Sequence, residues 1–98
     1  MLTLFPPRSE LFAYKVDWGR VEQLGIVNSV MKPWITKKVI EYLGEEEETL
    51  IAFILSKLSS RCNPNDLFNE LTAVLDDDAE QFVIKLWRML IFSVLKNE

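Results

Sequence analysis

The chain has 98 residues, of which 49% are hydrophobic and 27% charged, with three glycines and four prolines. This size and composition predict one globular domain with a single hydrophobic core, and they exclude a disordered chain. Fifteen acidic and eleven basic residues give a net charge of −4, and there is no histidine. The lack of histidine excludes the usual catalytic triads and histidine-ligated zinc sites.

Several other functional classes are also disfavoured. No apolar run is long enough to cross a bilayer, and the first twelve residues do not resemble a signal peptide. The three glycines form no phosphate-binding loop, and the single Cys62 has no histidine to activate it as a nucleophile. A lone cysteine also agrees with a reducing compartment. We therefore expect a soluble intracellular protein with no membrane contact, no cofactor, no metal and no enzymatic activity.

Apolar residues recur at helical spacing along almost the whole chain, which predicts an all-α bundle. Residues 1–16 are expected to form an irregular or partly ordered arm outside the main helices, because Pro6 and Pro7 prevent a helix from running through them. The apolar side chains of this arm predict that it packs on the bundle; they are Leu11, Phe12, Tyr14 and Val16. The helical domain then covers residues 17–95, and residues 96–98 form the C-terminal end.

The first helix is predicted over residues 18–31, with Asp17 as its N-cap. Gly25 inside it implies either a close backbone approach or a weak point in the helix. Pro33 is expected to begin a second helix, because proline suits a first turn and disfavours a helical residue before it. Gly44 should end that second helix in the left-handed conformation.

Acidic runs mark the starts of two later helices. Residues 45–48 are all glutamate and residues 76–78 all aspartate, and carboxylates are favoured at helix N-termini. A solvated, dipole-matching role is the simpler interpretation of both runs, and an acidic docking site is the alternative for residues 45–48. Between them, Asn63 and Pro64 predict the cap and first residue of a further short helix. The last helix, over residues 79–95, is apolar around most of its circumference, so it is expected at the centre of the bundle.

Trp34 lies among three lysines in the stretch "KPWITKK". At 100° per residue it falls outside the apolar stripe of the second helix and closer to Lys37 and Lys38. Two accounts remain. In the first account, the arm or the first helix covers the indole, and this account is favoured because large aromatic side chains are rarely exposed. In the second account, the ring stays partly open beside the lysines. Trp87, by contrast, shares its helix face with apolar residues and is expected in the core.

The segments "KPWITKKVIEYLG", "LIAFILSKL" and "LTAVLDDDAEQFVIKLWRMLI" together resemble the PWI domain of eukaryotic pre-mRNA processing factors. The similarity covers residues 17–95, and "ELFAYKVDW" resembles the lead-in of the C-terminal PWI domain in one group of splicing regulators. The resemblance implies four main helices and binding of single- and double-stranded RNA or DNA with little sequence preference. It also implies a nuclear splicing factor with basic flanking segments, in which Pro33, Trp34 and Ile35 are chiefly structural.

The acidic net charge permits nucleic-acid binding only if charge is polarised over the surface, because affinity comes mostly from cations that neutralise phosphates. We predict phosphate contacts from Lys32, Lys37, Lys38 and Arg20, around the junction of the first two helices. The alternative is that these four side chains form an ordinary solvated face that binds no ligand, and this explains their presence in the sequence equally well. A competing hypothesis is a protein-interaction module of the splicing machinery, in which an apolar groove or the acidic turns receive a partner. We expect a monomer in either case.

Overall fold

The computed structural model describes residues 8–96 and places almost all of them in helices. Two short helices come first, α1 at Arg8–Ala13 and α2 at Trp18–Gln23, followed by a π-helical turn at Val27–Met31. Four longer helices follow: α3 at Lys32–Leu43, α4 at Glu48–Ser59, α5 at Pro64–Leu75 and α6 at Asp78–Lys96. No strand occurs between residues 8 and 96, so the predicted all-α bundle is confirmed. Over the same stretch, no helix is both long and apolar enough to span a bilayer.

Helix α6 lies at the centre of the bundle. It packs against α1, α3, α5 and the π-helical turn, and its inward residues are almost completely buried. Trp87 is 1% exposed and meets the ring of Trp18 edge-on, with the ring centroids 6.0 Å apart. The predicted central position of this helix and the core position of Trp87 are therefore confirmed. The part of the predicted arm that the structure describes contains the short helix α1, so it is not irregular throughout, and its Leu11 and Phe12 are buried in the core.

The local signals at helix ends act as predicted. The Asp17 carboxylate accepts a hydrogen bond from the Arg20 N–H at 3.1 Å, which caps α2. Gly44 ends α3 with φ 84°, and its N–H donates to the Ile40 carbonyl at 2.8 Å. The Asn63 side chain caps α5 by accepting from the Asn65 N–H at 2.8 Å. These bonds satisfy backbone groups that helix ends would otherwise leave without a partner.

The predicted continuous helix over residues 18–31 is wrong. Helix α2 ends at Gln23, and Gly25 takes φ 63° with open space around the position of a Cβ atom. Of the two possibilities for Gly25, the structure therefore supports the weak point and not a close backbone approach. Glycine enters this left-handed region at almost no steric cost, so the chain turns there and restarts as the π-helical turn.

Pro33 stands in the first turn of α3, as predicted, but the predicted non-helical residue before it is wrong. Met31 and Lys32 both have right-handed helical angles, so the π-helical turn leads directly into α3. The Lys32 N–H reaches back to the Val27 carbonyl, five residues earlier. We attribute the wider turn to Pro33, whose ring clashes with a carbonyl four residues back in a regular helix and which lacks an N–H. The helix thus accommodates the proline by widening instead of ending.

Candidate nucleic-acid interface

Helix α3 presents its lysines on two different sides. Lys32 and Lys37 lie on one side and line a shallow cavity of about 560 Å³, whose other lining residues are Pro33, Thr36, Ile40 and Glu41. Ile40 is 41% exposed, so this cavity has an apolar floor between two cations. Lys32 and Lys37 are five residues apart, about 140° around the helix at 100° per residue, so they flank the exposed Ile40 from its two edges. We call this face the Lys32–Lys37 side.

Trp34 and Lys38 lie on another side of α3. The indole of Trp34 packs edge-on against the ring of Phe82 in α6, with centroids 6.2 Å apart and an angle of 60° between planes. Lys38, one turn later, holds its ammonium 5.8 Å from the centre of the indole. Trp34 is half-buried as a result. The contacts described for this indole are therefore with α6 and Lys38, and the ring stays partly open beside a lysine, as the second account of Trp34 expected.

A second cavity, of about 380 Å³, opens between α3 and α6 at this point. Three cations and three apolar side chains line it, and we call it the aromatic–basic surface; it consists of Trp34, Lys38, Lys85, Arg88, Met89 and Phe92. Phe92 is 58% exposed, the largest exposed fraction among the large hydrophobic side chains of the described chain. Aromatic rings next to cations are the combination with which proteins contact unpaired nucleotides, through stacking and phosphate neutralisation.

Two cations of this surface, Lys38 and Lys85, have weak partners in the protein. Lys38 forms an ion pair with Glu41 at 3.3 Å, and the Glu41 side chain is 49% exposed. Lys85 lies 5.9 Å from the centre of the Tyr42 ring and donates to its hydroxyl at 3.4 Å. Exposed ion pairs of this kind contribute at most about 1 kcal/mol, so a phosphate can compete for the same ammonium.

The four predicted phosphate-binding residues are not gathered in one place. Lys32 and Lys37 share one side of α3, whereas Lys38 belongs to the aromatic–basic surface. Arg20 lines neither cavity; it lies on α2, where its guanidinium donates to the Gln23 side chain at 3.4 Å. Placing these cations at one junction of helices was therefore only partly correct, because the π-helical turn separates α2 from α3.

Other basic residues also divide into two groups. Lys57 of α4 is paired with Glu70 of α5 at 2.8 Å, and Arg61, in the loop after α4, is paired with Glu22 of α2 at 2.7 Å. Both therefore join separate elements of the bundle. Lys85 and Arg88 instead join Lys38 across the gap between α3 and α6. Sequence reasoning missed Phe92 altogether. The available signal was spacing, because Arg88 and Phe92 are four residues apart and so share a face of α6.

Two further features concern the single cysteine and the acidic side chains. Burial raises the pKa of the Cys62 thiol to about 11, so the thiol is protonated near neutral pH. Across residues 8–96 there is no group of three or more cysteine and carboxylate side chains placed to hold a metal ion.

Comparison with known proteins identifies the family. The PWI domain model matches residues 29–96, which include α3 to α6 and most of the π-helical turn. The chain belongs to the PWI domain family. This PWI domain carries the tripeptide of the family name at Pro33, Trp34 and Ile35, of which Ile35 is fully buried, Trp34 half-buried and Pro33 exposed.

Relatives of this PWI domain include proteins whose names refer to RNA binding and to the U1 snRNP. It is 44% identical over 86 residues to human "RNA-binding protein 25", a match that covers 88% of this chain and 10% of the relative. It is 40% identical over 96 residues to "RNA-binding motif protein 25" of Arabidopsis thaliana, covering 98% of this chain and 11% of the relative. It is 34% identical to "U1 snRNP-associated protein usp107" of Schizosaccharomyces pombe, covering 90% of this chain and 13% of the relative. The chain thus spans about a tenth of the length of these relatives.

Proposed function

We propose that this PWI domain is a non-enzymatic module that binds RNA or DNA through phosphates, with little sequence specificity, within a nuclear pre-mRNA splicing factor. The observation that carries the proposal is the aromatic–basic surface, where Lys38, Lys85 and Arg88 surround two aromatic side chains. The names of the relatives, which include RNA binding and association with the U1 snRNP, agree with this function.

The distribution of charge supports the proposal despite the net charge of −4. The acidic runs at residues 45–48 and 76–78 lie at the starts of α4 and α6, away from the lining of the aromatic–basic surface. The Lys32–Lys37 side adds two exposed lysines on the same helix as Lys38. A nucleic-acid strand that crosses the middle of α3 would therefore meet cations on both sides of the helix, with Glu41 as the carboxylate that lines the Lys32–Lys37 side.

The aromatic side chains define the kind of contact. Lys38 lies over the indole of Trp34 at 5.8 Å, so a base can stack on that ring only if the lysine side chain moves. Phe92 is exposed and offers its ring directly. Phosphate contacts from the cations therefore supply most of the affinity, and Phe92 adds a stacking contact that any base can make. Neither kind of contact reads sequence.

The test is a salt titration of binding to short fluorescein-labelled single-stranded and double-stranded RNA, measured by fluorescence anisotropy. Three phosphate contacts give a slope of log K against log salt of about −2 for a single strand. The variant Lys38→Gln/Lys85→Gln/Arg88→Gln should lose at least tenfold in affinity at low salt and most of this slope. A separate variant, Lys32→Gln/Lys37→Gln, measures the contribution of the other side of α3.

A matched control removes the same number of positive charges elsewhere. Lys15→Gln/Lys57→Gln/Arg61→Gln changes one exposed lysine and two cations that are paired with carboxylates of other elements. This control should keep most of the affinity, and circular dichroism must show that all variants remain folded. Equal losses of affinity in the control and in the aromatic–basic variant would show that binding comes from nonspecific attraction by charge and not from contacts at this surface. No binding by the unmodified chain at low salt would overturn it.

A further inference from the structure

A second surface of this domain has the opposite charge. The end of α3, the loop after it, α4 and α5 enclose a groove of about 580 Å³, larger than the cavity of the aromatic–basic surface. Its apolar wall includes Phe53 and Val74, which are 37% and 49% exposed, and Leu50, which is half-buried. This volume is in the range of sites that hold several side chains of a ligand.

The rim of the groove is acidic. Glu45 and Glu47 lie at the end formed by the α3–α4 loop, and Glu70 of α5 lies in the lining as well. Glu45 raises the pKa of Glu47 through a shared hydrogen bond and like-charge repulsion, so the two carboxyl groups are close together. None of the described residues that line the groove is a lysine or arginine. The pair of carboxylates is therefore a favourable place for an added cation.

Lys57 provides an example of a cation bound at the edge of this groove. The Lys57 ammonium lies 2.8 Å from a carboxylate oxygen of Glu70 and 5.6 Å from the centre of the Phe53 ring. It thus combines an ion pair with a cation–π contact at the edge of the apolar wall. Glu45 and Glu47, in contrast, form no ion pair among those described in the chain. Lysine and arginine side chains of a partner have the chemistry to occupy that end.

We propose that this groove docks a basic segment of a partner protein, with apolar side chains against Phe53 and Val74 and lysine or arginine directed toward Glu45 and Glu47. Charge complementarity selects this occupant, because the same carboxylates repel the phosphates of a nucleic acid. The groove and the aromatic–basic surface have no residue in common. One domain can therefore hold a nucleic acid and a basic protein segment at the same time.

The test uses a synthetic peptide in which leucines are flanked by arginines, followed by amide chemical shifts of the labelled domain. We expect saturable shifts around the α3–α4 loop, Phe53 and Val74. A peptide with glutamate at each arginine position, and another with serine at each leucine position, should bind at least fivefold more weakly. Addition of RNA should leave the peptide bound, so a failure at this groove is distinguishable from a failure of nucleic-acid binding.

Variants locate the site. Glu45→Gln/Glu47→Gln should reduce affinity for the arginine peptide at least fivefold, and Val74→Ser should also weaken it without disturbing the buried core. Glu10→Gln/Asp77→Asn removes two exposed carboxylates outside the groove and should leave affinity unchanged. Equal losses in both double variants, or shifts confined to other surfaces, would overturn the proposal. Analytical ultracentrifugation tests whether the domain associates with itself. Self-association that is lost in Glu45→Gln/Glu47→Gln would show that the groove binds a second copy of this chain instead of a partner protein, and would overturn the proposal.

Discussion

The three residues of the Pro-Trp-Ile motif should differ sharply in what they contribute to stability. Ile35 has no exposed surface, whereas Pro33 is exposed at the start of α3. Ile35→Ala removes buried methyl and methylene groups and leaves a cavity, which costs roughly 2–5 kcal/mol. Pro33→Ala restores an N–H and removes a ring that constrains the unfolded chain, so the opposing effects should leave stability within about 1 kcal/mol.

The milder substitution Ile35→Val makes the comparison measurable, because Ile35→Ala can remove much of the 5–15 kcal/mol by which small domains are typically stable. Loss of one buried methylene costs about 1 kcal/mol and lowers the melting temperature of a domain of this size by roughly 4–8 °C. Urea and thermal unfolding followed by far-ultraviolet circular dichroism give both values. A Pro33→Ala variant as unstable as Ile35→Ala, or an Ile35→Val variant as stable as the parent, would refute the reasoning.

Three further predictions concern single sites. Gly25→Ala should destabilise the fold by about 1–2 kcal/mol in urea unfolding, because alanine must take the left-handed φ of 63°; no loss would contradict the break before the π-helical turn. Arg61→Gln should change stability by less than about 1 kcal/mol, since both side chains of the Arg61–Glu22 pair are more than half exposed; a larger loss would show that the pair is structural. Alkylation of Cys62 by iodoacetamide at pH 8 should be about tenfold slower in the folded chain than in urea. Its pKa is raised to about 11 and only the thiolate reacts, while the greater nucleophilicity of the more basic thiolate offsets part of the loss; equal rates would contradict its burial.

Much of the fold follows from local chemistry in the sequence. Gly44 and the Asn63–Pro64 pair mark helix ends, and each is confirmed by a backbone or side-chain hydrogen bond. The break at Gly25 could not be predicted in the same way. Apolar residues before and after it keep one helical period, so the pattern alone does not distinguish a tolerated glycine from a turn. The left-handed angle of Gly25 is seen only in the folded structure.

The candidate surfaces were less predictable because their residues come from distant parts of the chain. Lys38 and Lys85 are brought to one cavity only when α3 packs on α6. In the sequence, Lys85 is indistinguishable from Lys57, which the fold commits instead to Glu70. The acidic groove likewise needs α4 and α5 side by side before Phe53 and Val74 face the same space. Helical periodicity predicts which face of its helix a residue occupies, but it does not predict which other helix packs against that face.

The central position of α6 also bears on how binding would be seen in amide hydrogen exchange. Because α6 contacts α1, α3, α5 and the π-helical turn, its buried amides can exchange only when most of the domain opens. α1 is only six residues long and packs mainly on α6, so it can detach at much lower free energy. A ligand between α3 and α6 would therefore slow exchange throughout the bundle core, while the N-terminal helix would continue to exchange quickly.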